Sequence, residues 1–131
     1  MHSHTILVAD DEPALRHLVR VIVASPRRRV LKAADGDSAW TLLQAGRPQV
    51  AILDVIMPHR DGLELTRAIR ADPALAATRV ILLTGAGEPA TIARGRAAGA
   101  DHIITKPFSP RELLATIEAC LVETEQRAAA V

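Results

Sequence analysis

Cysteine is almost missing from this chain: Cys120 is the only one, so no disulfide can form within it and no cysteine-based zinc site can be assembled. The simplest compartment is the reducing cytosol. An excess of charge of one sign is missing too. Lys and Arg number 16 against 15 Asp and Glu, which removes the long-range electrostatic case for direct nucleic-acid binding or for an anionic membrane surface. No apolar run is long enough to span a bilayer. The opening MHSHTILVADDEP has a short apolar run that ends in acids, unlike the core of a secretory leader. A cytoplasmic chain without membrane contact is therefore expected. Lysine is scarce as well: only Lys32 and Lys106 stand among 14 Arg, so a Lys in an informative place carries weight.

What is present fits one domain. The 131 residues are 49% hydrophobic, enough for a real core and too few for a second independent domain. Short aliphatic runs at residues 5–9, 29–33, 50–53, 80–83 and 102–105, each bounded by Asp, Gly or Pro, read as five strands. Between them lie segments with helical spacing. Leu15, Leu18, Val19, Ile22 and Val23 form one apolar face after the start signal Asp11-Glu12-Pro13. Ser109-Pro110-Arg111-Glu112 has the form of a capping box ahead of Leu113, Leu114, Ile117, Cys120 and Leu121. Strict alternation predicts a doubly wound α/β fold, a five-stranded parallel sheet with five helices. The near-continuously apolar AILD and VILLT strands belong in its middle. Residues 85–100 are weaker, with Ile92 the single large apolar side chain and Gly95 inside the helix, so the fourth helix is expected to be the least stable. Residues 4–122 are expected to form the domain, and 123–131 a helix end or linker tail.

In an open parallel sheet the binding crevice lies beyond the carboxyl ends of the strands. Asp10 and Asp11 end the first strand, Asp54 the third, Thr84 the fourth, and Lys106 follows the fifth. Three converging carboxylates repel, which calls for a hard cation or a protonated acid. Mg²⁺ is the natural counter-ion. Thr84 and Lys106 would complete a phosphoryl-binding site as hydroxyl donor and point charge, and Asp54 is the candidate nucleophile because carboxylates form aspartyl phosphates. Plainer readings exist. Asp11 and Glu12 could simply cap the first helix. Arg27, Arg28 and Arg29 read as a solvated loop, His2 and His4 as at most a weak metal site, and His17, His59 and His102 as surface histidines. Trp40 reads as an anchor of the second helix, distant in sequence from the site.

The motifs ILVADDEP, ILDVIMPHRDG, ILLTG and GADHIITKPF, in this order and spacing, resemble the receiver domain of bacterial response regulators, which has a flavodoxin-like fold. The resemblance spans residues 5–122. It implies that Asp54 accepts a phosphoryl group, that Asp11, Asp54 and the Ile56 backbone carbonyl bind Mg²⁺ directly, and that Asp10 acts mainly through a metal-bound water. It further implies that the Thr84 hydroxyl moves toward the phosphoryl group, that Lys106 pairs with it, and that the Lys106–Pro107 bond is cis. The departure is Ile103, where an aromatic switch residue usually stands; Phe108 is the only Phe and Tyr is absent. The signal is therefore expected to pass through the loop at residues 84–87 into the weak fourth helix.

The implied function is a signalling switch in two-component signal transduction, not an enzyme acting on an external substrate. Its donor would be a histidine kinase or histidine phosphotransfer protein, its output a downstream protein, and its state a monomer or a phosphorylation-dependent dimer. One alternative is the receiver fragment of a longer regulator with a DNA-binding or enzymatic output domain. Another is a phosphatase of the haloacid dehalogenase kind, which needs a second Asp two residues after the nucleophile; Ile56 stands there instead. A partner-docking domain without phosphorylation is disfavoured by the retention of all five site residues.

Overall fold

The computed structural model describes residues 4–85 and 89–130, with side chains through residue 124. His2 and the Gly87 end of the loop expected to carry the signal lie outside them. The elements alternate as β1 (His4–Ala9), α1 (Pro13–Val23), β2 (Arg28–Ala33), α2 (Gly36–Gly46), β3 (Val50–Asp54), α3 (Gly62–Ala71), β4 (Arg79–Thr84), α4 (Pro89–Ala98), β5 (His102–Thr105) and α5 (Pro110–Ala130), with one 3-10 turn at Pro73–Leu75. The five strands form one parallel sheet in the order β2-β1-β3-β4-β5. Every residue of β3 is buried, and β4 is buried after Arg79, as strands covered on both faces must be. From β1 the chain steps outward to β2 and then back past β1 to β3. The switch in strand order therefore falls between β1 and β3, at Asp10 and Asp54.

Alternate residues of each strand feed opposite faces. Leu7, Ala51, Leu53 and Leu82 pack with Ala39 and Leu43 of α2 and Leu65 and Ile69 of α3. Ile6, Val8, Ile52 and Ile81 pack with Val19 and Val23 of α1 and with Leu113, Ile117 and Cys120 of α5. Each fully buried aliphatic side chain contributes about 1.5–3 kcal/mol relative to exposure, so the two cores hold the sheet ends rigid.

Local signals set the helix starts. Asp35 caps α2 by accepting the Ser38 N–H at 2.7 Å, and Asp61 and Glu64 form a reciprocal capping box on α3. Ser109 Oγ accepts the Glu112 N–H at 3.0 Å on α5. On α1 the N-cap position is Glu12, whose side chain makes no capping bond; Asp11 lies outside the helix and is left for the site. Two expectations need correction. Leu18 is 46% exposed, as the apolar stripe of α1 is wider than the surface the sheet covers. Arg28 belongs to β2, one residue ahead of the expected strand start at Arg29, because pairing with His4 of β1 draws it out of the loop. Among the described residues no helix is long and apolar enough to cross a membrane.

Candidate phosphoryl-accepting site

Register brings the expected residues together. Ala9 lies beside Leu53, Leu83 beside Asp54, and Thr84 beside Thr105. The residues just past these pairs are Asp10 after β1, Asp54 at the end of β3 and Lys106 after β5, all at the carboxyl edge, with the end of β4 between the last two. One carboxylate oxygen from each of Asp10, Asp11 and Asp54 lies within 4.8 Å of the others. Asp10 and Asp54 are buried and Asp11 is exposed, so the cluster opens to solvent on the Asp11 side.

The two buried carboxylates each accept a backbone N–H from two residues further along. Asp54 Oδ1 accepts the Ile56 N–H at 3.1 Å, and Asp54 Oδ2 accepts from Lys106 Nζ at 2.6 Å. Asp10 Oδ1 accepts the Glu12 N–H at 3.0 Å, while its Oδ2 is buried with no hydrogen-bond partner. Lys106 Nζ stands 3.8 Å from that oxygen, too far to satisfy it. Burial pushes the Asp10 carboxyl up to about 6, reinforced by the neighbouring Asp54 charge and opposed by the Glu12 N–H and Lys106. A buried acceptor left open beside two further carboxylates is what a cation site with all-oxygen donors requires. The residues present therefore fit a hard divalent ion.

Thr84, at the end of β4, is buried, and its carbonyl accepts the Lys106 N–H at 2.7 Å, tying the β4 and β5 ends together. The Lys106–Pro107 bond is cis. Ile56, which is 76% exposed, follows Asp54 by two residues, leaving no acid where a dehalogenase-type phosphatase would need one. The histidines do not join the cluster among the described residues. Two arginines were not foreseen. Arg16 of α1 donates to the Asp10 carbonyl at 2.8 Å, and Arg60, in the loop after β3, reaches α2. Neither has a local signal in sequence, since each contact depends on how an element docks.

Comparison with known proteins agrees with this geometry. Residues 6–118 match the family described as the response regulator receiver domain. The chain is 36% identical over 124 residues to the phosphate regulon transcriptional regulatory protein PhoB of Pseudomonas aeruginosa, covering 95% of this chain and 54% of that one. It is similar in structure to a CheY-like response regulator receiver domain protein from Methanospirillum hungatei, with a TM-score of 0.87 at 27% identity over 95% of this chain and 98% of the other. The chemotaxis response regulator CheY4 of Vibrio cholerae superposes with a TM-score of 0.83 at 32% identity over 89% and 98% of the two chains. The chain spans about half the length of the curated relatives it matches.

Proposed function

The chain belongs to the response regulator receiver domain family of two-component systems, and from that membership we propose that Asp54 is its phosphoacceptor, charged by a phosphohistidine donor in the presence of Mg²⁺. As a receiver domain it acts as a signalling switch. The observation that carries the proposal is the Lys106 ammonium set 2.6 Å from Asp54 Oδ2 beside the unpartnered Asp10 Oδ2. One cation and three carboxylates leave two negative charges when all are ionised. Asp11, Asp54 and the Ile56 backbone carbonyl would hold Mg²⁺, with Asp10 behind them. Bound there, the ion supplies the charge neutralisation that lets an anionic phosphoryl group approach an anionic carboxylate.

Asp54 supplies the nucleophile. A carboxylate oxygen forms the new O–P bond as the P–N bond to the donor histidine breaks, and the imidazole leaves with a proton. Lys106 pairs with one phosphoryl oxygen and the Thr84 hydroxyl donates to another. Water attacking phosphorus later releases inorganic phosphate and restores the carboxylate. The chain thus assists its own phosphorylation and dephosphorylation and turns over no external substrate. A histidine kinase or histidine phosphotransfer protein is the donor class, in the cytoplasm, and the charged surface changes affinity for a downstream partner or for a second copy.

Intact-mass analysis after acetyl phosphate and Mg²⁺ tests this. A single phosphoryl adduct is expected on the native chain and none on Asp54→Ala; no adduct on the former, or an equal one on the latter, overturns the assignment. The length of the relatives favours a second reading beside the first. Residues 4–122 would be the receiver of a longer regulator, with α5 and residues 123–131 leading to a DNA-binding or enzymatic output. The reading frame beyond Val131 distinguishes the two.

A further inference from the structure

The loop between β3 and α3 begins directly after Asp54 and contains Ile56. Its first half is fixed by close packing: Met57 is buried, the Gly62 N–H donates to the Val55 carbonyl at 2.9 Å, and a Cβ at Gly62 would collide with the Asp54 carbonyl. Its second half lies against the start of α2. The Gly36 N–H donates to the Pro58 carbonyl at 3.1 Å, and a Cβ at Gly36 would collide with the Arg60 backbone. Between the two halves His59 is held at φ 72°, a left-handed conformation that non-glycine residues adopt at a cost. Such a turn persists only where its surroundings over-determine it.

The Arg60 side chain, one residue on, reaches across to α2. Its guanidinium carbon lies 5.5 Å from the Trp40 ring centroid, and its Nε is 3.3 Å from Asp37 Oδ1. Asp37 and Trp40 are three residues apart on α2, so they share one face and together clasp the arginine. Trp40 is therefore joined to the site through this loop, although distant in sequence from it.

We propose that Arg60 is a positioning residue: clasped by Trp40 and Asp37, it holds the β3–α3 loop so that Ile56 stays in register with the carboxylate cluster for cation binding, and Trp40 senses occupancy. The inference rests on the reading of Asp10, Asp11 and Asp54 as a Mg²⁺ site.

Mg²⁺ titration by calorimetry on the full chain, with Trp40 emission recorded in parallel, provides the test. The native chain is expected to bind Mg²⁺ and to change its Trp40 emission with the same midpoint. Arg60→Ala should bind about two- to fivefold more weakly, the range of a partly exposed cation–π contact, and lose the emission change. Arg60→Lys, which keeps the cation, should recover most of the affinity. Should Arg60→Ala fail to fold, Asp37→Asn on the exposed rim carries the test with a smaller loss of the same sign. Equal affinity in the native chain and in Arg60→Ala, or in Asp37→Asn when that variant carries the test, overturns the role of Arg60 and leaves the Mg²⁺ site standing. An Arg60→Lys variant as weak as Arg60→Ala does the same. A native chain that binds no Mg²⁺ overturns both.

Discussion

Asp10 has lost nearly all contact with water, and its Oδ2 finds no hydrogen-bond partner within the chain. Its carboxyl is raised from 3.8 to about 6, with burial the largest cause. Between those values the folded chain binds a proton that the unfolded chain has already released, so stability falls as pH rises. The penalty is absent below about pH 4 and complete above about pH 6. In chelator, Asp10→Asn should therefore stabilise the protein at pH 7 by on the order of 3 kcal/mol and flatten its stability between pH 4 and 6. The same variant should gain less stability from added Mg²⁺ than the native chain does. Urea denaturation at several pH values, with and without Mg²⁺, measures both effects; a variant less stable than the native chain in chelator would refute the strain assigned to Asp10. The position of Asp10 was legible because an acid directly after an aliphatic strand is a local pattern. Its missing partner was not, since that depends on where Lys106 comes to rest.

α4 is the element that the sequence expects to be the least stable, and the structure adds what lies beneath it. Its buried residues are Gly95 and Ala98. A Cβ at Gly95 would stand 2.8 Å from Ile103 Cδ1 and 3.1 Å from Leu82 Cδ1. Gly95 is thus the seat on which Ile103 of β5 rests, and Ile103 packs into the core on the α3 side of the sheet. Alanine at 95 would gain about 1 kcal/mol in helix propensity, but overpacking costs about 1–3 kcal/mol. Gly95→Ala alone should destabilise the protein by about 1 kcal/mol. In an Ile103→Ala background, where the space is open, it should stabilise by up to about 1 kcal/mol. The sign reversal across this double-mutant cycle is read by chemical denaturation; the same sign in both backgrounds would show that Ile103 does not rest on Gly95. Periodicity identified the interior glycine as a defect. Only the β5–α4 contact shows it as a fit for the aliphatic residue at 103.

The whole molecule is a sheet with two charged ends. The carboxyl end carries the acidic cluster, and the amino end of β4 and β5 is drawn together at Asp101. That carboxylate accepts from Arg70 at 2.6 Å, from Arg79 at 2.9 Å and from the Val80 N–H at 2.8 Å. Arg70 also reaches the Gly99 and Thr78 carbonyls, and Arg79 lies 3.4 Å from Glu123 of α5. One acid thereby joins α3, β4, β5 and, through Arg79, α5. Removing it takes the shared carboxylate from two partly buried cations, leaving Arg70 its carbonyls and Arg79 only Glu123, so Asp101→Ala should lower stability by about 2 kcal/mol. Phosphoryl uptake at Asp54 from acetyl phosphate should persist at temperatures where the variant stays folded, since the two sites stand at opposite ends of the sheet. A thermal melt and intact-mass analysis on one sample check both halves.

The sequence by itself determined the five strands and five helices, the central place of β3 and β4, and the gathering of Asp10, Asp11, Asp54, Thr84 and Lys106 at the carboxyl end of the sheet. These follow from short-range rules: aliphatic runs make buried strands, punctuation ends them, and parallel crossovers bring every carboxyl end to one edge. The tertiary structure alone decided the exposure of Leu18, the clasp of Arg60 over Trp40, the seat of Ile103 on Gly95 and the joining of four elements around Asp101. Each of these contacts pairs residues from different elements, and its geometry is set by how helices dock on the sheet, which no local pattern encodes.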